Sequence, residues 1–268
     1  MPEWPELRVM RDRIADALVG RKIVAVRVGD PVVLRATRPA DELLVGRTLR
    51  SVTHRGKFLI FDLGGLEMVV NPMLAGIFTL LPVGAKATRD TRLRLEFEGG
   101  TELRYRDDVR MGKVYLDVAA PGLADIGPEA GDLEWSEEEF ARRARAKRSE
   151  LRNLLQDQAF VAGIGNAYAD EILWAARLHP KRRVGSLDPE EMARFYAAFR
   201  EVMARGLAEV EGAMPPELGT KPRAHMRVRG RAGTPCPRCG TTIMRRRKGL
   251  DDVDLCPHCQ PAPKGQLY

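Results

Sequence analysis

The stretch Phe58-Leu-Ile-Phe-Asp-Leu-Gly64-Gly65-Leu66-Glu-Met-Val-Val70 sets two apolar runs on either side of a glycine pair. Glycine takes positive φ at no steric cost, so the pair reads as a hairpin turn between strands Phe58–Leu63 and Leu66–Val70. The same grammar returns at Gly99-Gly100, between Leu93–Phe97 and Leu103–Tyr105. Ile23–Val28 alternates in the manner of a strand, and Lys113–Asp117 predicts another. Upstream, Leu7, Met10, Ile14, Ala17 and Leu18 share one helical face, with Pro5 suited to the first turn and Gly20 to the stop. One helix followed by hairpin-linked strands predicts a β-sandwich or barrel to residue 118.

Past Pro121, Gly122, Gly127 and Pro128 the composition turns helical. Ser136 with Glu139 predicts a capping box opening a helix through Ala146. Further helices are expected over Glu150–Gln156, Ala167–Ala176 and Pro189–Glu209, then a loop from Gly212 to Pro222. The fold class is α+β, in three parts: residues 1–118, a helical domain at 129–211, and a metal hairpin at 221–262. No internal repeat marks the helices or strands.

The 268 residues carry a net charge of +7, spread unevenly. Lys221 to Leu250 holds ten Lys or Arg and no Asp or Glu, leaving −3 for the remainder. A basic block beside a near-neutral body suggests a polyanion-binding face. No segment reaches the apolar length of a membrane span, and the acidic start lacks the basic and apolar regions of a secretory signal. All four cysteines fall in one C-terminal stretch, which points to metal in a reducing cytoplasm rather than to disulfides.

Cys236-Pro-Arg-Cys239 and Cys256-Pro-His-Cys259 are two Cys-x-x-Cys pairs at the spacing of a tetrahedral Cys₄ zinc site closing a β-hairpin. Four thiolates leave no open position, so one Zn²⁺ is expected to be structural. A redox pair would instead sit between a strand and a helix. The hairpin's Arg245, Arg246, Arg247 and Lys248 suit phosphate contact, and His258 is expected to face solvent.

The chain begins Met1-Pro2-Glu3-Trp4-Pro5-Glu6. Removal of Met1 leaves Pro2 with a secondary amine; a chain-terminal amine titrates near ~8, against ~10.4 for lysine, so more of it is free to attack a carbonyl. Glu3 can move protons during that attack, and Glu6, one turn on, can hold backbone amides. Taken alone, the same residues also read as a processing signal and an acidic helix start. In Gln158-Ala-Phe-Val-Ala-Gly163-Ile-Gly165-Asn166-Ala-Tyr-Ala-Asp-Glu, the glycines shape a turn and Asn166 is expected to cap the next helix. Amides at such a start bind phosphate, although a well-capped helix looks the same. His54-Arg-Gly-Lys57 is a basic turn entering a strand; Lys57 suits a phosphate, or simply solvent.

These four motifs, in this order, resemble the formamidopyrimidine-DNA glycosylase and endonuclease VIII family across almost the whole chain. The resemblance implies a β-sandwich, a helix-two-turn-helix domain and a zinc hairpin with damaged double-stranded DNA in the cleft between them. It implies Pro2 as nucleophile at C1′ of a flipped nucleotide, Glu3 as proton donor and acceptor, and base excision followed by β,δ-elimination. Lys57 and Asn166 would hold phosphates beside the lesion. A monomer in the cytoplasm, associated with the nucleoid, is the matching expectation.

The chain also departs from that family. The residues that fill the gap left by the flipped base are Met, Arg and Phe in formamidopyrimidine-DNA glycosylases; here they are Leu74, Val109 and Met111. Leu74 and Met111 remain apolar wedges. Val109 has no side-chain hydrogen bond for the orphaned base, and its neighbour Arg110 is the candidate to replace it. Asp251, after Leu250, stands where the hairpin's phosphate-clamping arginine is expected. Two other classes compete with the enzyme: a lesion- or structure-sensing DNA-binding protein without excision, and a zinc-ribbon transcription factor. The second ignores the N-terminus.

Overall fold

Pro5 lies in the first turn of helix α1 (Trp4–Leu18), where its missing N–H costs nothing, and Leu7, Met10, Ile14 and Leu18 are buried along one face. The protein is described here by a computed structural model covering residues 1–268, apart from Leu133, Gly249, Leu250 and 264–268; for Lys248 and Asp251 it describes the backbone only. Contacts divide the chain into two compact units. One is Met1–Ala124 with Val210–Pro222; the other is Asp125–Glu209 with Arg223 onward.

The first unit holds strands β1 (Ile23–Val28), β2 (Leu34–Arg35), β3 (Ser51–Arg55), β4 (Phe58–Asp62), β5 (Glu67–Asn71), β6 (Ile77–Pro82), β7 (Thr91–Phe97), β8 (Thr101–Arg106) and β9 (Lys113–Tyr115). A short helix α2 (Ala40–Leu44) precedes β3. The strands form two sheets, ordered β2-β9-β5-β4-β3 and β1-β7-β8-β6. Both glycine pairs turn hairpins as expected, β4 pairing with β5 from Asp62↔Glu67 and β7 with β8 from Phe97↔Thr101. Rings join the sheets into a sandwich: Phe61 of β4 lies 5.7 Å from Phe78 of β6, and Phe78 lies 5.4 Å from Tyr105 of β8. Alternating burial along the strands supplies this core, the main driving force for the layer. The segment after residue 210 returns to the same sandwich, where Glu217 O accepts from Leu80 N–H and Gly219 N–H donates to Phe78 O along the edge of β6.

The second unit comprises α3 (Glu137–Ala146), α4 (Leu151–Gln156), α5 (Asn166–Ala175), most of α6 (Pro189–Ala213), and the hairpin β10 (Met244–Lys248) with β11 (Asp251–Leu255). Helix α6 runs four residues past the expected Glu209. Phe140 sits at the centre of its aromatic core, with Phe195 and Phe199 both at 5.5 Å and Phe160 at 5.6 Å. Only half of the expected capping box forms at α3. Ser136 Oγ accepts from Glu139 N–H at 3.3 Å, but the Glu139 carboxylate turns to Arg142, at 2.7 Å, and to Arg143. Charge-assisted bonds to two guanidinium groups outcompete one neutral amide. Among the described residues no helix is long and apolar enough to cross a membrane.

Candidate active site

Glu3 is the cap of α1, in extended backbone, and its carboxylate faces the Glu6 N–H while Glu6 Oε2 accepts from the Glu3 N–H at 2.9 Å. Both acids are buried, Glu3 at 3% and Glu6 at 0% exposure, which an ordinary acidic helix start is not. Trp4 fixes the helix start from the side: it is buried, its ring meets His54 of β3 edge-on at 6.1 Å, and the Arg8 guanidinium lies 5.9 Å from it. Pro2 is buried behind the half-buried Met1. Lys57 occupies the two-residue turn between β3 and β4, where Arg55 pairs with Phe58. Burial holds its ammonium below the usual lysine range, and the Glu3 carboxylate pulls the other way. Pro2, Glu3, Glu6 and Lys57 are thus gathered where α1 meets the β3–β4 hairpin. Burial there disfavours the charged form of Lys57, and the Glu3 carboxylate is near enough to oppose that shift.

Leu74, Val109, Arg110 and Met111 are exposed on two loops of the same unit. Asp107, 1% exposed, builds the second loop: Oδ1 accepts from the N–H groups of Val109 and Arg110, both at 3.1 Å, and Oδ2 from Gly112 at 2.7 Å. The Tyr105 hydroxyl backs both loops. A Cβ on Gly112 would lie 1.7 Å from it and one on Gly76 2.4 Å, so glycine alone fits at either place. Lys221 Nζ donates to Leu74 O at 3.1 Å, tying the first loop to the returning segment. Arg110 does not turn towards its neighbours; its Nε meets Asp30 Oδ2 at 3.1 Å, and Asp30 also faces Arg92 at 3.6 Å.

In the second unit, Gln158 shapes the turn between α4 and α5. Its side-chain amide donates to the carbonyls of Gln156 and Ile164, both at 2.9 Å, and its oxygen accepts from Gly163 N–H at 2.9 Å. Gly163 takes φ 91°, which the turn requires and a side chain would strain. Asn166 is the first residue of α5 and not its cap; Gly165, in extended backbone, is the cap. Its side chain is engaged elsewhere, since Gln156 Nε2 donates to Asn166 Oδ1. That bond holds Asn166 at the helix start, where amides and dipole favour an anion.

The four cysteine sulfurs all lie within 4.8 Å of one another, with Cys236 to Cys259 at 4.0 Å and Cys239 to Cys256 at 3.5 Å. Tetrahedral Zn–S bonds of ~2.3 Å put sulfurs about 3.8 Å apart, so these thiols fit zinc. Cys236, Cys256 and Cys259 are buried, and Cys239 lies nearer solvent. The adjoining basic run is not a uniform cationic face. Arg245 is committed to the buried Asp254 at 2.7 and 2.8 Å, and Arg247 lies 3.4 Å from Asp252. Both acids stand directly across the ladder, which alternation along β10 and β11 dictates. Arg246 points to the opposite face. The side chains of Lys248 and Asp251, and Leu250, lie outside the described residues.

Residues 1–114 match the formamidopyrimidine-DNA glycosylase N-terminal domain, 126–214 its H2TH domain, and 233–262 the zinc finger found in that glycosylase and in isoleucyl-tRNA synthetase. The chain belongs to the formamidopyrimidine-DNA glycosylase family. Relatives named formamidopyrimidine-DNA glycosylase include one from Symbiobacterium thermophilum, 34% identical over 99% of this chain and 91% of its own. Another, from Salinispora arenicola, is 35% identical over 100% and 99%. The structure of Lactococcus lactis Fpg with abasic-site DNA superposes with a TM-score of 0.86 at 25% identity, covering 97% of this chain and 100% of that one. The same enzyme with a DNA carrying N7-benzyl-Fapy-dG gives the same values.

In this formamidopyrimidine-DNA glycosylase family member, two acids at the end of the Asn166 motif carry the architecture of the second unit. Asp170 of α5 is fully buried and holds Arg152 of α4 at 3.1 Å and Arg229 at 2.8 Å; it also accepts from Asp254 N–H at 3.1 Å. Burial pushes its carboxyl up to about 7, while the two arginines pull it down. Next to it, Glu171 accepts from the N–H groups of Arg227, Val228 and Arg229 at 2.8 to 3.0 Å. These two acids fix the zinc hairpin to the helix-two-turn-helix. Their place in the Asn166 motif is the one signal of it in the sequence.

Proposed function

We propose that this protein excises damaged bases from double-stranded DNA and cuts the strand at the abasic site, with Pro2 as the attacking amine. The observation that carries the reading is the buried terminus, where Pro2 and Glu3 are fixed by the Glu6 cap beside the desolvated Lys57. Once Met1 is removed, the Pro2 nitrogen adds to C1′, and the base departs with the glycosidic electron pair and a proton from Glu3. The nitrogen, having lost its proton, then expels O4′ from C1′; O4′ takes up a proton, and the opened sugar carries an iminium between that nitrogen and C1′. The iminium acidifies C2′–H; loss of that proton expels the 3′ phosphate, and a second proton loss expels the 5′ phosphate. Lys57 and Asn166 hold backbone phosphates, while Leu74 and Met111 fill the space of the flipped nucleotide. Zinc, held by Cys236, Cys239, Cys256 and Cys259, shapes the hairpin and takes no chemical step. The acting form is a monomer in the cytoplasm, on nucleoid DNA.

Denaturing gels of a duplex with one abasic site test this reading. Products with phosphate at both ends support it, and binding without cutting favours the lesion-sensing alternative. The same duplexes test the wedge. A side chain that hydrogen-bonds the orphaned base is worth roughly 1–3 kcal/mol per good pair. Val109 offers none, and Arg110 is engaged by Asp30. Single-turnover rates with C, A, G or T opposite are therefore expected to differ less than tenfold, about 1.4 kcal/mol. A hundredfold preference would overturn the Val109 argument, and its loss in Arg110→Ala would assign the reading to Arg110.

A further inference from the structure

Trp174 stands in the last turn of α5, 8% exposed, and its ring belongs to the apolar cluster formed by Val228, Cys236, Ile243, Cys256 and Cys259. Its indole N–H donates to Cys236 Sγ at 3.4 Å. Arg238, inside the first Cys-x-x-Cys pair, lies with its guanidinium 4.1 Å from the same ring. Arg238 also donates to Trp174 O at 2.9 Å and to Ala175 O at 3.4 Å, the last carbonyls of the helix, the first of which also accepts from Arg177 N–H at 3.2 Å. The second pair is tied to the same end of α5. Gln260 accepts from Cys256 N–H at 3.0 Å and donates to Leu178 O at 3.0 Å.

We propose that Trp174 is a positioning residue of the zinc site, acting through Cys236. A phenylalanine would keep an aromatic ring in this space and a face towards Arg238, though a smaller one; what tryptophan adds besides ring area is one buried N–H aimed at a ligand sulfur. A zinc-bound thiolate carries negative charge in an apolar pocket. A donor on that sulfur stabilises the charge, fixes the direction of the Cys236 side chain, and makes the sulfur a weaker electron donor to the metal. Through Arg238 and its own helix, Trp174 also anchors the first cysteine pair to α5. The hairpin's metal site is thereby built partly by the helix that begins at Asn166.

Trp174→Phe tests this, with Arg238 left in place. Outer partners of metal ligands typically contribute about 10–100-fold to affinity. Zinc competition against a chromophoric chelator is expected to show affinity at least about tenfold lower in the variant. In the cobalt(II)-substituted protein, loss of the N–H donor is expected to move the thiolate-to-cobalt charge-transfer band to lower energy. The band reads the sulfur itself, so it separates hydrogen bonding from packing. Lower affinity with an unmoved band would reduce Trp174 to a packing residue and overturn the proposal. Affinity within twofold of the parent and an unmoved band would overturn it outright.

Discussion

Pro2→Gly is expected to lower the single-turnover rate of strand cutting at an abasic site by at least about a hundredfold, the scale on which a reacting group is lost. Affinity for the same duplex should stay within about threefold, because glycine leaves a chain-terminal amine at the same place and so keeps whatever charge Pro2 offers the phosphates. Glycine supplies a primary amine in place of the ring nitrogen, without the pyrrolidine ring that holds that nitrogen in one position beside Glu3. The helix should persist in the variant. Its start is held by the Glu3–Glu6 cap and by Trp4 against His54, neither of which involves the Pro2 ring. A protein that keeps Met1 should be as inactive as the variant, since its nitrogen remains in a peptide bond. Full cutting by a preparation whose mass shows Met1 in place would exclude Pro2.

The second large effect is expected at the metal. Cys239→Ser removes one of four thiolates, and structural zinc contributes about 10–16 kcal/mol to small zinc-organised units. Metal analysis should find the variant depleted of zinc, and duplex affinity should fall at least about tenfold. The sandwich should be spared. Its sheets, the Phe61–Phe78–Tyr105 core and the Glu3–Glu6 cap all belong to the other compact unit. Sandwich amides that keep their protection from hydrogen exchange, with loss of duplex affinity, are the expected combination. Zinc content unchanged in the variant, or absent from the parent protein, would refute the assignment of the four cysteines.

The parts of the fold announced by short-range chemistry were legible. Gly64-Gly65 and Gly99-Gly100 turn the hairpins they predict, and the paired cysteines converge on one site. Strands β3 and β6 were not found. Ile77–Pro82 is a nearly continuous apolar run with no alternation; Ser51–Arg55 buries alternate residues, but they are Val52 and His54, so the period does not show as hydrophobicity. Asn166 was misplaced by one position because Asn is a common cap; its side chain is taken instead by Gln156, which only the folded turn brings near.

Charge was the least legible property. The block from Lys221 to Leu250 reads as ten cations in sequence. In the fold Arg229 is bound to Asp170, Arg245 to Asp254, and Arg238 to the carbonyls at the end of α5. The acids that neutralise them lie outside the block, so a local count misses them. Asp30 is hidden for the same reason, since Arg92 and Arg110 reach it only through the sandwich, whereas Asp107 folds its own loop by local bonds that no motif in the sequence marks. The cationic surface available to DNA is therefore smaller than the composition suggests, and a shallower salt dependence of affinity follows.

The central claim is that the terminal nitrogen of Pro2 forms the covalent intermediate. Borohydride reduces an iminium to a stable amine and so fixes the protein to DNA at the point of attack. With an abasic-site duplex present, a trapped complex is expected, and after nuclease and trypsin digestion the added mass should lie on the peptide from Pro2 to Arg8. Trapping that maps to Lys57 or another lysine, or no trapping by a protein whose Met1 has been removed, would contradict it.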